Sequence, residues 1–154
     1  MVLTFSIILP VFKEKNVHSL VIKLIKQYIP KEFHMQKIFI VGLGFDKQNL
    51  NKIKKVILIE EKFRRGKAAA VSTALKNIKS DILILQSSYI KVSKNTLKNI
   101  LLPFLDKKIG MVTCKPIPVD NPDNFAGFLV NLIWSLHHII SLHREMWMNI
   151  SPFP

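Results

Sequence analysis

Residues 64–98, RRGKAAAVSTALKNIKSDILILQSSYIKVSKNTLK, are the stretch that decides the fold. A helix is predicted from Gly66, because apolar residues recur at helical spacing on one face, at Val71, Ala74, Leu75 and Ile78. Residues 82–85 form an apolar run too short for a helix, which predicts a strand covered on both faces. Polar residues follow at once. Because ligands bind at the carboxyl ends of central strands in an α/β sheet, we expect the site at residues 87–91.

The rest of the chain repeats this alternation of strand and helix. Further strands are predicted at residues 3–9, 37–41, 55–60 and 109–114. Asn16 is expected to cap a first helix and Ser93 a later one. The first helix would bury one face, made of Val17, Leu20, Val21, Leu24, Ile25 and Tyr28. The prediction is a single α/β domain over residues 1–154, three-layered, with a mostly parallel sheet and helices on both faces.

Composition narrows the class of protein. A hydrophobic fraction of 49% and a charged fraction of 21% indicate a globular domain and exclude a disordered one. A net charge of +13 attracts polyanions: nucleotide phosphates, nucleic acid or an anionic membrane surface. The lysines are spread along the chain, which disfavours a nucleic-acid tail.

Cysteine usage and the first residues indicate a compartment. The single Cys114 excludes a disulfide framework and is expected to be a buried, inert thiol. Residues 1–12 lack the pattern of a signal peptide. We therefore expect a cytoplasmic protein, with peripheral attachment to a membrane left open.

Residues 125–150 are predicted to form an apolar C-terminal helix. Residues 125–142 carry no formally charged side chain, over a length of about 27 Å if helical. Polar residues nevertheless make a stripe along it, at Asn131, Ser135, His138 and Ser141. The stripe argues against a membrane span. It favours a helix buried against a sheet or a partner chain, and a helix lying in the membrane interface is the alternative. Trp134 and Trp147 fit either environment.

Several motifs resemble the family 2 nucleotide-sugar glycosyltransferases, which have the GT-A fold. RGKAAAVS at residues 65–72 is similar to the family's R-G-K-A-x-A-L-N, and SDILI at 80–84 to the G-D-I-I that follows it. FLDKKIGMV at 104–112 resembles P-F-x-D-x-x-V-G-x-V. The resemblance covers about residues 6–142. It implies transfer of a sugar from a nucleotide-sugar donor to a lipid, glycan or protein acceptor.

The resemblance also implies a nucleotide site. PVFKE at residues 10–14 is similar to the family's P-x-[YF]-N-E loop, with Lys13 in place of the Asn. An aromatic ring can stack on a base and a carboxylate can accept from a base or ribose, roles that would fall to Phe12 and Glu14, with Val11 beside them in the nucleotide site. Arg65 and Lys67 would face the diphosphate at a helix N-terminus. The alternative is a surface loop and a solvated basic turn.

The metal motif is where the chain departs from the family. The D-A-D that binds Mg²⁺ or Mn²⁺ in the family falls on Ser87-Ser88-Tyr89, and hydroxyls do not make a hard anionic site. Lys67 and Lys91 are the cations that could replace the metal. Glu145 is the only acid after Asp123, so no catalytic base is identified. A non-catalytic domain that binds a nucleotide, a membrane or a partner chain is therefore the alternative function.

Other candidate sites are weaker. His137, His138 and His143 do not share a helix face and have no acid or cysteine cluster beside them, so exposed or satisfied helix histidines are favoured over a metal site. Gly42-Leu43-Gly44 is interpreted as the counterpart of the family's D-D-G-S turn with both acids lost.

Overall fold

The computed structural model describes residues 2–114, 117–118 and 123–148, without the side chains of 141–148. It divides into two compact units, Met1–Gly110 and Met111–Pro154, which are described separately. The single domain over residues 1–154 stays a prediction.

Four parallel strands form the sheet of the first unit. In chain order they are β1 (Leu3–Phe12), β2 (Phe33–Leu43), β3 (Val56–Glu60) and β4 (Ile82–Leu85). Their spatial order is β3-β2-β1-β4, so β1 and β2 are central. Ile7, Ile8 and Leu9 of β1 are all fully buried, as expected for a parallel strand covered on both faces.

Helices cover both faces of this sheet. They are α1 (Val17–Ile25), α2 (Lys47–Leu50), α3 (Lys67–Leu75) and α4 (Thr96–Leu101), followed by a 3₁₀ turn, Leu102–Leu105. One core cluster joins β1 and β2 to α1 and α4, through Val21, Leu24, Leu97 and Leu101. The other joins Ile8, Phe39 and Val41 to Ala70 and Ala74 of α3. The predicted α/β fold with a parallel sheet is confirmed.

The two central strands are longer than predicted. β1 continues through Pro10 to Phe12, where a loop was expected. The backbone N–H of Gln86 donates to the Ile8 carbonyl as β4 ends, so Pro10 lies beyond the last pair on that side and its missing N–H costs no ladder bond. β2 extends through Gly42 to Leu43, and a Cβ at Gly42 would lie 1.8 Å from the Val11 carbonyl oxygen. Only glycine permits the two strands to stay paired to this point.

β4 differs from the prediction of a central strand covered on both faces. It lies at the edge of the described sheet, and its burial alternates. Ile82 and Ile84 are buried, whereas Leu83 and Leu85 are 39% and 50% exposed. A run of four apolar residues cannot distinguish a strand with one covered face from one with two.

Residues 109–114 are not a strand, contrary to the prediction. They have no ladder partner in the described chain, and Met111 is exposed; an apolar run needs a neighbouring strand to become part of a sheet. Cys114 is exposed, so the expectation of a buried thiol is wrong, although partial burial raises its pKa.

The observed helix caps and buried faces differ in part from the predicted ones. Asn16 occupies the N-cap of α1 without a side-chain hydrogen bond, and α4 begins after Asn95, with Ser93 hydrogen-bonding Thr96 instead. Tyr28, which lies beyond the end of α1, and Leu75, the last residue of α3, are exposed, contrary to the predicted buried faces. The buried residues of α3 are Ala70 and Ala74, of which the sequence predicted only Ala74.

The second unit contains α5 (Phe125–Met148), which confirms a C-terminal helix in this region. Asn124 caps it, its side-chain Oδ1 accepting from the Gly127 N–H at 2.7 Å. Apolar side chains are exposed along it, including Phe125, Phe128, Ile133 and Ile139. No helix in the described part of the chain is apolar enough over sufficient length to cross a membrane. Residues 115–116 and 119–122 and the side chains of Ser141, His143, Glu145 and Trp147 lie outside the described part of the chain.

Candidate functional site

A cavity of about 200 Å³ opens where β1, β2 and β4 end and α3 begins. Four separate segments of the first unit line it, at residues 10–14, 43, 61–70 and 87–89. Ligand sites in open α/β sheets occupy this carboxyl edge. The cavity lies at the edge where the sequence predicted a site, and the strand that contributes most residues to its lining is β1, not β4.

The end of β1 turns sharply at the cavity. Lys13 has a φ of 54°, and its N–H donates to the Leu43 carbonyl at 2.9 Å. Beside it Gly44 has a φ of 76°, and a Cβ there would lie 2.9 Å from the Cα of Lys13. A non-glycine residue in the left-handed region costs about 1–2 kcal/mol. This turn leaves Val11, Phe12 and Glu14 together on the cavity lining, and their contact with a nucleotide stays a prediction.

Phe12 presents an aromatic ring to the cavity and two cations approach it. The ring is on a side chain 41% exposed. The Arg64 guanidinium carbon lies 4.5 Å from the ring centroid and the Lys13 ammonium 5.6 Å. Both distances permit cation–π attraction. Arg64 also lines the cavity, a placement that the sequence did not predict, because the family's R-G-K motif begins at Arg65.

That neighbour, Arg65, has a different environment. Its Nη2 and Nε donate to Glu61 Oε1 at 2.7 and 3.1 Å, and Nη2 also donates to the Thr73 hydroxyl at 3.0 Å. Glu61 is only 9% exposed, so Arg65 neutralises a buried acid. Arg65 does not line the cavity, whereas Arg64 does. Contact between Arg65 and a diphosphate stays a prediction.

Lys67 and Ser87 meet across the cavity wall. The Lys67 ammonium donates to Ser87 Oγ at 3.2 Å, which joins the start of α3 to the residues after β4. Gly66 precedes Lys67 with a φ of 90° and a ψ of 166°, a conformation open to glycine alone. The Lys67 side chain therefore enters the cavity from a turn whose shape depends on glycine.

The corner after β4 is held by its own amide. Gln86 Nε2 donates to the carbonyls of Ser87 and Ile90 at 2.9 and 3.3 Å. Ser87, Ser88 and Tyr89 all line the cavity. The corner predicted to correspond to the family's metal motif therefore does face the cavity, beside Lys67.

The donor set does not fit a divalent cation. The cavity's carboxylates are Glu14 and Glu61, and Glu61 is bound to Arg65. Within the described residues, no three His, Cys, Asp or Glu side chains are grouped so that they could hold a metal. Mg²⁺ and Mn²⁺ favour carboxylates and oxygen ligands in anionic sites. Two serine hydroxyls and a phenol beside a lysine do not provide one.

Two carboxyl groups with lowered pKa lie outside the cavity lining. The pKa of Asp46 is lowered chiefly by a hydrogen bond from the Asn49 side chain, and that of Asp81 by one from the Thr4 hydroxyl. Asp46 caps α2, and Asp81 binds both the hydroxyl and the N–H of Thr4 as β4 begins. The hydrogen bonds that lower these pKa values hold parts of the fold together, and neither residue lines the cavity.

Comparison with known proteins supports the architecture. No family model and no curated protein matches the chain. Among solved structures, it is similar to a mannosyltransferase from Pyrobaculum calidifontis in complex with GDP-Man and Mn²⁺, with a TM-score of 0.62 and 21% identity. The match covers 82% of this chain and 38% of that one. At this identity the likeness shows the fold alone: the chain shares the fold of the part of that neighbour which it matches, and it spans well under half of that neighbour's length.

Proposed function

We propose that this chain is a family 2-like nucleotide-sugar glycosyltransferase domain that binds the nucleotide of its donor in the cavity at the end of β1. One observation carries the proposal: an aromatic ring, an acid and two cations converge there, namely Phe12, Glu14, Arg64 and Lys67. The chain brings them together from two segments, residues 10–14 and 61–70. The glycosyltransferase-like fold supports the same placement of the ligand.

Each group has a role that its chemistry suits. The Phe12 ring can stack on a base, and Glu14 can accept hydrogen bonds from a base N–H or a ribose hydroxyl. Arg64 and Lys67 bring positive charge to the diphosphate, which the net charge of +13 attracts from solution. The cavity, about 200 Å³, is smaller than typical ligand pockets of about 300–1,000 Å³. It accordingly holds part of a nucleotide sugar, with the remainder reaching beyond it.

A second candidate function is a domain that binds a nucleotide without transferring a sugar. The residues after β4 favour it, because Ser87, Ser88 and Tyr89 do not offer the carboxylates of a metal-dependent transferase. The two candidates share the binding site and differ in turnover. Release of nucleoside diphosphate from GDP-Man or a UDP-sugar, above the spontaneous rate, would favour the transferase.

Calorimetric titration of the full chain with GDP and UDP, in buffer containing Mn²⁺, tests the proposal. We expect saturable binding of at least one of them with a Kd below about 1 mM, equivalent to about −4 kcal/mol. The corresponding nucleoside and inorganic pyrophosphate should each bind more weakly than the intact nucleotide, since each lacks half of the contacts.

Glu14→Gln should weaken this binding, because it removes the charge that accepts from the nucleoside. Glu32→Gln is the matched control, since Glu32 is also half-buried. Glu32 lies at the opposite, amino end of the sheet, where its backbone carbonyl accepts a hydrogen bond from the Leu3 N–H. Failure of GDP and UDP to saturate the protein at millimolar concentration would contradict the proposal. So would displacement of the nucleotide by any single-stranded oligonucleotide with a steep dependence on salt.

A further inference from the structure

We infer that this site holds the nucleotide's diphosphate without a divalent cation, and that the Lys67 ammonium supplies the positive charge at the corner formed by Ser87 and Ser88. The inference rests on the function proposed above. It concerns how the anionic part of the ligand is neutralised.

The first argument is the chemistry of the corner. A divalent cation between a diphosphate and a protein is usually held by carboxylates, which offset its charge and its lost hydration. Ser87, Ser88 and Tyr89 offer neutral oxygens here. Of the two acids on the lining, Glu61 is already bound by Arg65, which leaves Glu14 alone.

The second argument is the position of Lys67. Its ammonium lies 3.2 Å from Ser87 Oγ, so a full positive charge is already at the corner where a metal would be needed. A lysine ammonium has three N–H donors. One donates to Ser87, which orients the group and leaves two for phosphate oxygens. The same charge repels a divalent cation from this position.

The third argument is the surrounding charge. Arg64 lines the same cavity, and its guanidinium can bind a phosphate in bidentate fashion. The N-terminus of α3, which has no acidic residue in its first turn, adds a favourable dipole. Lys91, the other lysine near this corner in sequence, does not line the cavity. The structure therefore favours Lys67 over Lys91.

The test compares GDP and UDP binding to the full chain in EDTA and in Mn²⁺. We expect the Kd to change by less than about threefold between the two conditions. Lys67→Met should weaken nucleoside diphosphate binding by about tenfold or more, as loss of a charge-assisted hydrogen bond requires. Binding of the nucleoside alone should change by less than twofold or so, since Lys67 faces the diphosphate.

Lys91→Met is the matched control, because it removes the same charge from an exposed position outside the cavity. It should leave nucleotide affinity nearly unchanged; an equal loss in both variants would indicate a general effect of charge and overturn the assignment to Lys67. Thermal unfolding of Lys67→Met should match that of the wild type, because Lys67 is exposed.

The electron paramagnetic resonance signal of Mn²⁺ gives a second readout. Adding protein to a mixture of Mn²⁺ and GDP should not remove more free Mn²⁺ than GDP removes by itself. Nucleotide binding that occurs only with Mn²⁺ would overturn the inference and leave the proposed function standing. An absence of nucleotide binding in both conditions would overturn the proposed function as well.

Discussion

The guanidinium of Arg64 lies 4.5 Å from the ring centroid of Phe12, although the two residues are far apart in the chain. Phe12 ends β1, and Arg64 lies between β3 and α3. The contact joins the aromatic and cationic sides of the cavity. A base that stacks on Phe12 would therefore lie beside a cation that can also reach the diphosphate.

Phe12→Ala should weaken binding of a nucleoside diphosphate and spare the fold. Loss of base stacking costs about 1–3 kcal/mol, which corresponds to roughly 5- to 150-fold in Kd. The exposed position of the ring limits the effect on the melting temperature. Titration with GDP and UDP measures the change. Phe63→Ala is the control, because Phe63 is exposed nearby and does not line the cavity; equal losses in both variants would contradict a specific role for Phe12.

Arg65→Ala should lower the free energy of unfolding, because Arg65 binds the buried acid Glu61 and does not line the cavity. It leaves Glu61 buried without its two hydrogen bonds from the guanidinium, and an unsatisfied buried group costs about 1–3 kcal/mol. Urea unfolding followed by circular dichroism gives the free energy of unfolding. Lys62→Ala, an exposed basic residue in the same loop, should change it by less than about 0.5 kcal/mol. A destabilisation no larger than that of the control would show that the ion pair contributes nothing.

Gly42→Ala should be the most destabilising of these substitutions. The added Cβ would lie 1.8 Å from the Val11 carbonyl oxygen, at a φ of 142° that side chains rarely adopt. Backbone strain and overpacking each cost about 1–3 kcal/mol, so a loss of several kcal/mol in the free energy of unfolding is expected. Gly110→Ala is the control, since a Cβ there meets nothing within 4 Å. A Gly42→Ala protein as stable as the control would be incompatible with the strand pairing described here.

Stability should fall on acidification, with Asp81 among the causes. Its pKa in the folded protein is lowered from 3.8, first by the Thr4 hydroxyl and then by the Thr4 backbone N–H. Because the pKa of Asp81 is lowered on folding, its carboxylate stabilises the folded protein above a pH of about 3.8, and this contribution to the free energy of unfolding is lost as the pH falls through the folded-state pKa. Asp46 acts in the same direction.

The free energy of unfolding, measured from pH 7 down to pH 2, checks this. Asp81→Asn should be less stable than the wild type at pH 7, and the difference should shrink at the acid end, where the wild-type carboxyl is protonated. Thr4→Val should reproduce part of the effect, since it removes the hydroxyl donor and keeps the N–H. A difference between Asp81→Asn and the wild type that does not depend on pH would contradict the assignment.

By itself, the sequence predicted the class of fold and the edge of the sheet at which the candidate site lies. Alternating strands and amphipathic helices require a parallel sheet, and the carboxyl edge of such a sheet brings loops together whatever their details. Ser87 could be selected on that ground, because it follows a strand, whereas Phe12, Glu14 and Lys67 were selected through the resemblance of residues 10–14 and 65–72 to family motifs. The periodicity of apolar residues predicts helices and strands, because these elements depend on residues that are close together in the chain.

Only the tertiary structure decided which strand is at the edge, which arginine enters the cavity and which lysine reaches Ser87. Leu83 and Leu85 are as apolar as the buried isoleucines beside them, yet their exposure depends on what packs against β4. Arg64 and Arg65 are adjacent and identical, and they differ because Glu61 and Thr73 bind only the second. Such choices depend on contacts between residues distant in the chain, which local pattern does not encode.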